Sequence, residues 1–173
     1  MNFYNIYNFF EINDYLPILN GVIITDLFII LLLIFGFIKS KMLVKWYKIY
    51  GLNAVIADVL IIVIGFIIAR YIYSLYFNKF NIINFIFVLL LVQIIHDILF
   101  YIFFSLIKRG KSQILDFFKD YANETSYKAI LSDSFMMLLS AILASYFKGL
   151  TLNSNIIILI ISIYLIPYFL GSL

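Results

Sequence analysis

The sequence predicts an all-α, polytopic membrane helix bundle of about five transmembrane helices with its N-terminus outside. Three observations carry that prediction. Hydrophobic residues make up 65% of the 173, well above the roughly 45–50% usual in a soluble domain, and the mean hydropathy is +1.10. Apolar runs long enough to cross a bilayer recur along the whole chain. Lysine and arginine gather in alternate connections between those runs, as the positive-inside rule requires of a bundle with short loops.

The first span is expected over 18–38, just after Pro17, and the second over 52–73. The third is expected over 82–107, long enough to tilt. The fourth follows over 127–147 and the fifth, the shortest, over 155–170 with Pro167 near its end. No Lys or Arg precedes Lys39. The stretch KSKMLVKWYK then supplies Lys39, Lys41, Lys45 and Lys48, the next connection has only Lys79, the third carries Lys108, Arg109, Lys111, Lys119 and Lys128, and the fourth has only Lys148. The first and third connections are therefore expected in the cytoplasm, the N-terminus outside and the C-terminus inside. Residues 1–173 read as one integral membrane domain with no soluble module.

Two segments fall outside the spans. KSQILDFFKDYANE has Ser112 as a candidate N-cap and Ile114, Leu115, Phe118, Tyr121 and Ala122 at helical spacing, which predicts an amphipathic helix over 112–123 on the cytoplasmic interface. MNFYNIYNFFEINDYLP is aromatic and slightly acidic and is expected at the outer interface. Lys39, Lys41, Lys45 and Lys48 suit contact with anionic lipid headgroups, worth roughly 1 kcal/mol each near the surface. Trp46 and Tyr47 among them read as interfacial anchors.

Composition excludes several function classes. With no cysteine there is no disulfide, thiolate metal site or cysteine nucleophile. No basic n-region with a small-residue cleavage site opens the chain, so no removed signal peptide is expected. KRGKS is too short to argue for nucleic acid, and no nucleic-acid partner is expected. There is no potassium-filter sequence, phosphate-cradling glycine loop or zinc-protease motif. No cofactor is expected, and no catalytic residue is assigned.

The residues that need explaining are the polar ones inside the spans: Asp26 in the first, Asp58 and Arg70 in the second, Gln93, His96 and Asp97 in the third, and Asp133 in the fourth. An ionisable group facing lipid at mid-bilayer costs roughly 2.5–3.5 kcal/mol or more, so these side chains must face the bundle interior, one another or water. At about 1.5 Å per residue, Asp58, His96, Asp97 and Asp133 lie roughly 8–15 Å from the cytoplasmic ends of their helices. Gln93 shares a face with His96 and Asp97, and Ala129, Asp133, Met136, Ser140 and Ala144 form one stripe on the fourth span. These residues are expected to form one intramembrane polar layer. Asp26 and Arg70 each lie roughly 12 Å from the outer end of their spans and are expected to pair there.

The polar layer has two readings. In one, hydrogen bonds and ion pairs hold the helices together, each worth roughly 0.6–2 kcal/mol. In the other it is a proton or cation site, since histidine titrates near neutral pH and carboxylates respond to burial. Three carboxylates and a histidine suit a divalent metal in chemistry, but no compact ligand spacing points to one, and no metal is expected. A Ser-His-Asp relay from Ser132 or Ser134 is disfavoured because His96 and Asp97, adjacent on one helix, point about 100° apart.

The stretches LNAVIADVLIIVIGFIIAR, QIIHDILFY, KRGKSQILDFFKDYANE and AILSDSFMM together resemble small multi-span membrane proteins of nucleocytoplasmic large DNA viruses, over roughly residues 50–170. The resemblance implies a virus-encoded protein of a virion or host membrane and carries over no functional residue. The leading expectation is a non-enzymatic structural or assembly component that self-associates through small-residue faces in the lipid bilayer. The alternative is a proton or cation channel or transporter built on the Asp/His layer.

Overall fold

The computed structural model describes residues 3–173, which form seven α-helices and, among those residues, no strand. They are α1 (Tyr15–Ile34), α2 (Lys41–Tyr50), α3 (Leu52–Tyr76), α4 (Ile82–Leu106), α5 (Gln113–Thr125), α6 (Lys128–Lys148) and α7 (Leu152–Gly171). Five of them, α1, α3, α4, α6 and α7, are long and apolar enough to cross a membrane, and the chain is a multi-pass, all-α integral membrane protein. At 20 residues, α7 spans about 30 Å, enough for the hydrocarbon core.

The first helix sits several residues earlier than the sequence predicts. A short 3-10 turn at Ile12–Asp14 leads into it, and Pro17 falls in the first turn, where backbone N–H groups have no helical partner anyway. It stops at Ile34 because Gly36 adopts φ +72°, with Gly36 N–H donating to Leu33 and Phe37 N–H to Leu32. This Schellman closure turns the chain out of the helix before 38. The shift decides the depth of Asp26, as shown below.

α1 is the hub. It is the most buried of the five long helices and packs against α6, α7 and α3. The α1–α6 contact is close because Gly21 faces Ser140 and Ala144: a Cβ at Gly21 would fall 2.8 Å from Ala144 N and Ser140 O. Small residues at a membrane helix crossing allow this approach. α7 is held to α1 by Asn20, whose Nδ2 donates to Asn155 O and Oδ1 at 2.9 and 3.0 Å, while Asn155 Nδ2 donates to Phe147 O. The far flank of α7 (Ile156, Ile160, Ile163, Tyr164) is exposed.

α2 and α5 lie at the lysine-rich end and are strongly amphipathic. Each starts on a serine cap: Ser40 accepts from Leu43 N, and Ser112 accepts from Leu115 N. The helix α2 lies in a stretch that the sequence reading treats only as a lysine-rich connection. Glu124 of α5 ties the two together by accepting from Ser40 Oγ and Met42 N. Residues 3–14 fold over the opposite end, with Ile6 buried and Ser145 Oγ donating to Tyr4 O.

Candidate functional site

At the lysine-rich end the helices do not close on one another. They surround a cavity of about 850 Å³, walled by α3, α4 and α6 and roofed by α2 and α5. Asp58, Gln93, His96, Asp97 and Asp133 all line it. The intramembrane layer drawn from depth and helical facing is thus one cavity, with room for more than ten waters at roughly 30 Å³ each.

Each member is set by its helix. Asp58 is six residues into α3 and accepts from Trp46 Nε1 at 3.0 Å. On α4, Gln93 and Asp97 stand one turn apart, and Gln93 Nε2 donates to Asp97 Oδ1 at 2.5 Å. His96 Nδ1 lies 3.2 Å from the same oxygen, so the divergence expected of adjacent residues is bridged by side-chain rotation. His96 also stacks on Phe100, with ring centroids 5.9 Å apart. Among the described residues no serine hydrogen-bonds His96, which leaves a Ser-His-Asp relay without its first link. On α6, Asp133 lines the same cavity, and no described residue donates a hydrogen bond to it. Among the described residues no Lys or Arg lines the cavity. Among the described residues, no three His, Cys, Asp or Glu side chains are grouped so as to hold a metal ion.

The predicted Asp26–Arg70 ion pair does not form. Helix α1 ends at Ile34, which puts Asp26 roughly 12 Å from the lysine-rich end, not from the outer end. Asp26 is fully buried and accepts from Tyr47 Oη at 2.9 Å, directly behind the cavity wall and within the field of Asp58. Arg70 instead pairs with Asp14 at 3.1 Å, both side chains at most 1% exposed. Arg70 also donates to the carbonyls of Asn8 and Glu11, and its guanidinium lies 4.6 Å from the Tyr15 ring centre. Lys148 at the end of α6 pairs with the other oxygen of Asp14. The opposite end is therefore a charge network that pins the N-terminal segment to α3 and α6, with Arg70 Nε and Nη1 buried and, among the described residues, without a hydrogen-bond partner.

Trp46 and Tyr47 are not interfacial anchors. Both are buried and point inward, while Lys39, Lys41, Lys45 and Lys48 are all exposed on the outer side of this segment, where headgroups would meet them. Burial first, then the charges of Asp26 and Asp58, push the Tyr47 phenol well above the usual tyrosine range. Tyr121 of α5 is raised too, by burial and then by Asp133, Asp58, Asp97 and Glu124. Both phenols therefore stay neutral donors facing carboxylates. The sequence does hint at them: Leu43, Trp46, Tyr47 and Tyr50 fall at helical spacing after Ser40, a period that marks one apolar face.

Compared with family models, with curated proteins and with solved structures, the chain matches none. The site's chemistry therefore stands on its geometry.

Proposed function

We propose that the protein is a membrane-embedded cation carrier or channel whose working site is the Asp58–Asp97–Asp133 cavity. One observation carries the reading: a cavity of about 850 Å³ within the membrane-spanning bundle is lined by three carboxylates and a single histidine and, among the described residues, by no lysine or arginine. A carboxylate that meets no cation inside a membrane must take up a proton, stay hydrated or bind a cation. Each outcome suits a protein that moves or holds positive charge. Intramembrane ionisable residues facing a cavity mark ion and proton paths in general.

The assembly role expected from the sequence, in a virion or host membrane, has the exposed flank of α7 as its structural support, and a bilayer covers that flank equally well. The cavity is the more specific feature. Purified protein in liposomes tests the reading. Cation or proton flux, or cation binding, is expected between about pH 5 and 8, and Asp133→Asn is expected to abolish it while leaving the protein monodisperse. Flux and binding that are both absent from the wild-type protein overturn it.

A further inference from the structure

The cavity offers more than negative charge. Its roof and upper wall are a continuous run of aromatic rings from three helices. Trp46 of α2 lies 5.2 Å from both Phe117 and Phe118 of α5, ring centre to ring centre. Phe118 in turn lies 5.0 Å from Phe100 and 6.4 Å from Phe104 of α4. Tyr121 continues the run, stacked 6.5 Å from Phe117. All six rings border the cavity.

The carboxylates sit deeper, along α3, α4 and α6. Asp133 is the one that matters most. It borders the cavity, is half-buried, and receives no hydrogen bond from any described residue, whereas Asp58 and Asp97 each have a donor on one oxygen. An unpartnered carboxylate opening into an aromatic chamber lacks the partner that its chemistry calls for.

We propose that the cavity binds an organic ammonium ion with an apolar body, its cationic head between Asp133 and the aromatic roof. This deepens the reading above and rests on it. Three properties select this class. A small hydrated metal ion wants converging oxygen ligands, and among the described residues no such group exists. The volume of about 850 Å³ lies within the roughly 300–1,000 Å³ range of cavities that take small organic molecules. Aromatic faces attract ammonium ions through the ring quadrupole and shelter an apolar body, while carboxylates with no lysine or arginine beside them supply the counter-charge. The same head could belong to a free amine or to the choline of a bilayer lipid, since both present the same chemistry.

Trp46 is the only tryptophan, so intrinsic fluorescence reads the cavity without a label. The probe is benzyltrimethylammonium, titrated into full-length protein in nanodiscs of phosphatidylglycerol alone. The expected result is a saturable change in Trp46 emission that the uncharged isostere neopentylbenzene does not produce. Asp133→Asn is expected to weaken binding at least tenfold, and Asp133→Glu to restore it. Phe118→Leu, which keeps bulk but removes the ring, is expected to weaken it by up to roughly tenfold, the scale of one desolvated cation–π contact. Repeating the titration at an equal fraction of phosphatidylglycerol, so that the surface potential is the same, with the remainder either phosphatidylcholine or an uncharged galactosyl diacylglycerol, separates the sources: a lower apparent affinity with phosphatidylcholine identifies the lipid headgroup as occupant, and an unchanged one identifies a free amine. No saturable response to benzyltrimethylammonium, or an equal response to neopentylbenzene, overturns the inference. If protons or potassium still cross liposomes in that case, the cation reading survives and only the ligand class fails.

Discussion

The two ends of this bundle handle buried charge in opposite ways. At the far end, Asp14 meets Arg70 on one oxygen and Lys148 on the other, and the Arg70 head also reaches two backbone carbonyls. At the lysine-rich end, Asp58, Asp97 and Asp133 share a cavity with no lysine or arginine. Yet four lysines lie within ten positions of one another close by, and the fold turns Lys41, Lys45 and Lys48 outward from the same helix that turns Trp46 and Tyr47 in. A charge network that only held helices together would look like the far end. The difference marks the far end as a structural lock and the cavity as a site whose charge is left for something else to meet.

The largest expected effect breaks the lock. Arg70→Ala leaves the buried Asp14 with Lys148 alone and removes the donor to two backbone carbonyls; it is expected to cost about 3 kcal/mol, the low end for a broken buried pair, read as a fall in the unfolding midpoint of detergent-solubilised protein. Gly21→Val comes next. Its side chain would meet Ser140 and Ala144 backbone atoms, which cannot yield as a flexible side chain can, so a loss of about 1–3 kcal/mol is expected in the same assay. Asn155→Leu removes the side-chain hydrogen bonds with Asn20 Nδ2 and Phe147 O and is expected to cost roughly 0.6–2 kcal/mol. Trp46→Phe keeps the aromatic roof but removes the donor to Asp58, for about 1 kcal/mol. The smallest effect is the most telling: Asp133→Asn removes a like charge and no hydrogen bond, so stability is expected to hold or rise. A loss as large as that of Arg70→Ala would make the cavity carboxylates structural and erase the contrast.

Much of this architecture is legible in the sequence because hydropathy and charge report it directly. Five apolar runs and alternating basic connections follow from what a bilayer tolerates. The cavity residues are legible for the same reason: Asp58, Gln93, His96, Asp97 and Asp133 stand out against apolar neighbours. Partner choice is not legible. Hydropathy alone placed the end of α1 at 38 and not at Ile34; four residues are about 6 Å, enough to assign Asp26 to the wrong half of the membrane. Asp14 was hidden because it lies before the apolar run, although the fold draws it inside to meet Arg70. Trp46 and Tyr47 were misread because an aromatic pair among lysines has the same composition whether it anchors in headgroups or closes a cavity. Only the tertiary position of α2, against α3 and α5, tells the two apart.

The central claim is that the lysine-rich half encloses a wet, cation-selective cavity while the far half is dry. The chain has no cysteine, so single cysteines can be placed without background and probed with membrane-impermeant thiosulfonates of either charge. Ala129→Cys and Ser132→Cys line the cavity; Ala69→Cys and Ala144→Cys sit in the packed far half. The account predicts that the first pair is modified, faster by the cationic reagent than by the anionic one, and that the second pair is protected from both. Equal protection of all four positions, or faster reaction of the cavity pair with the anion, would contradict it.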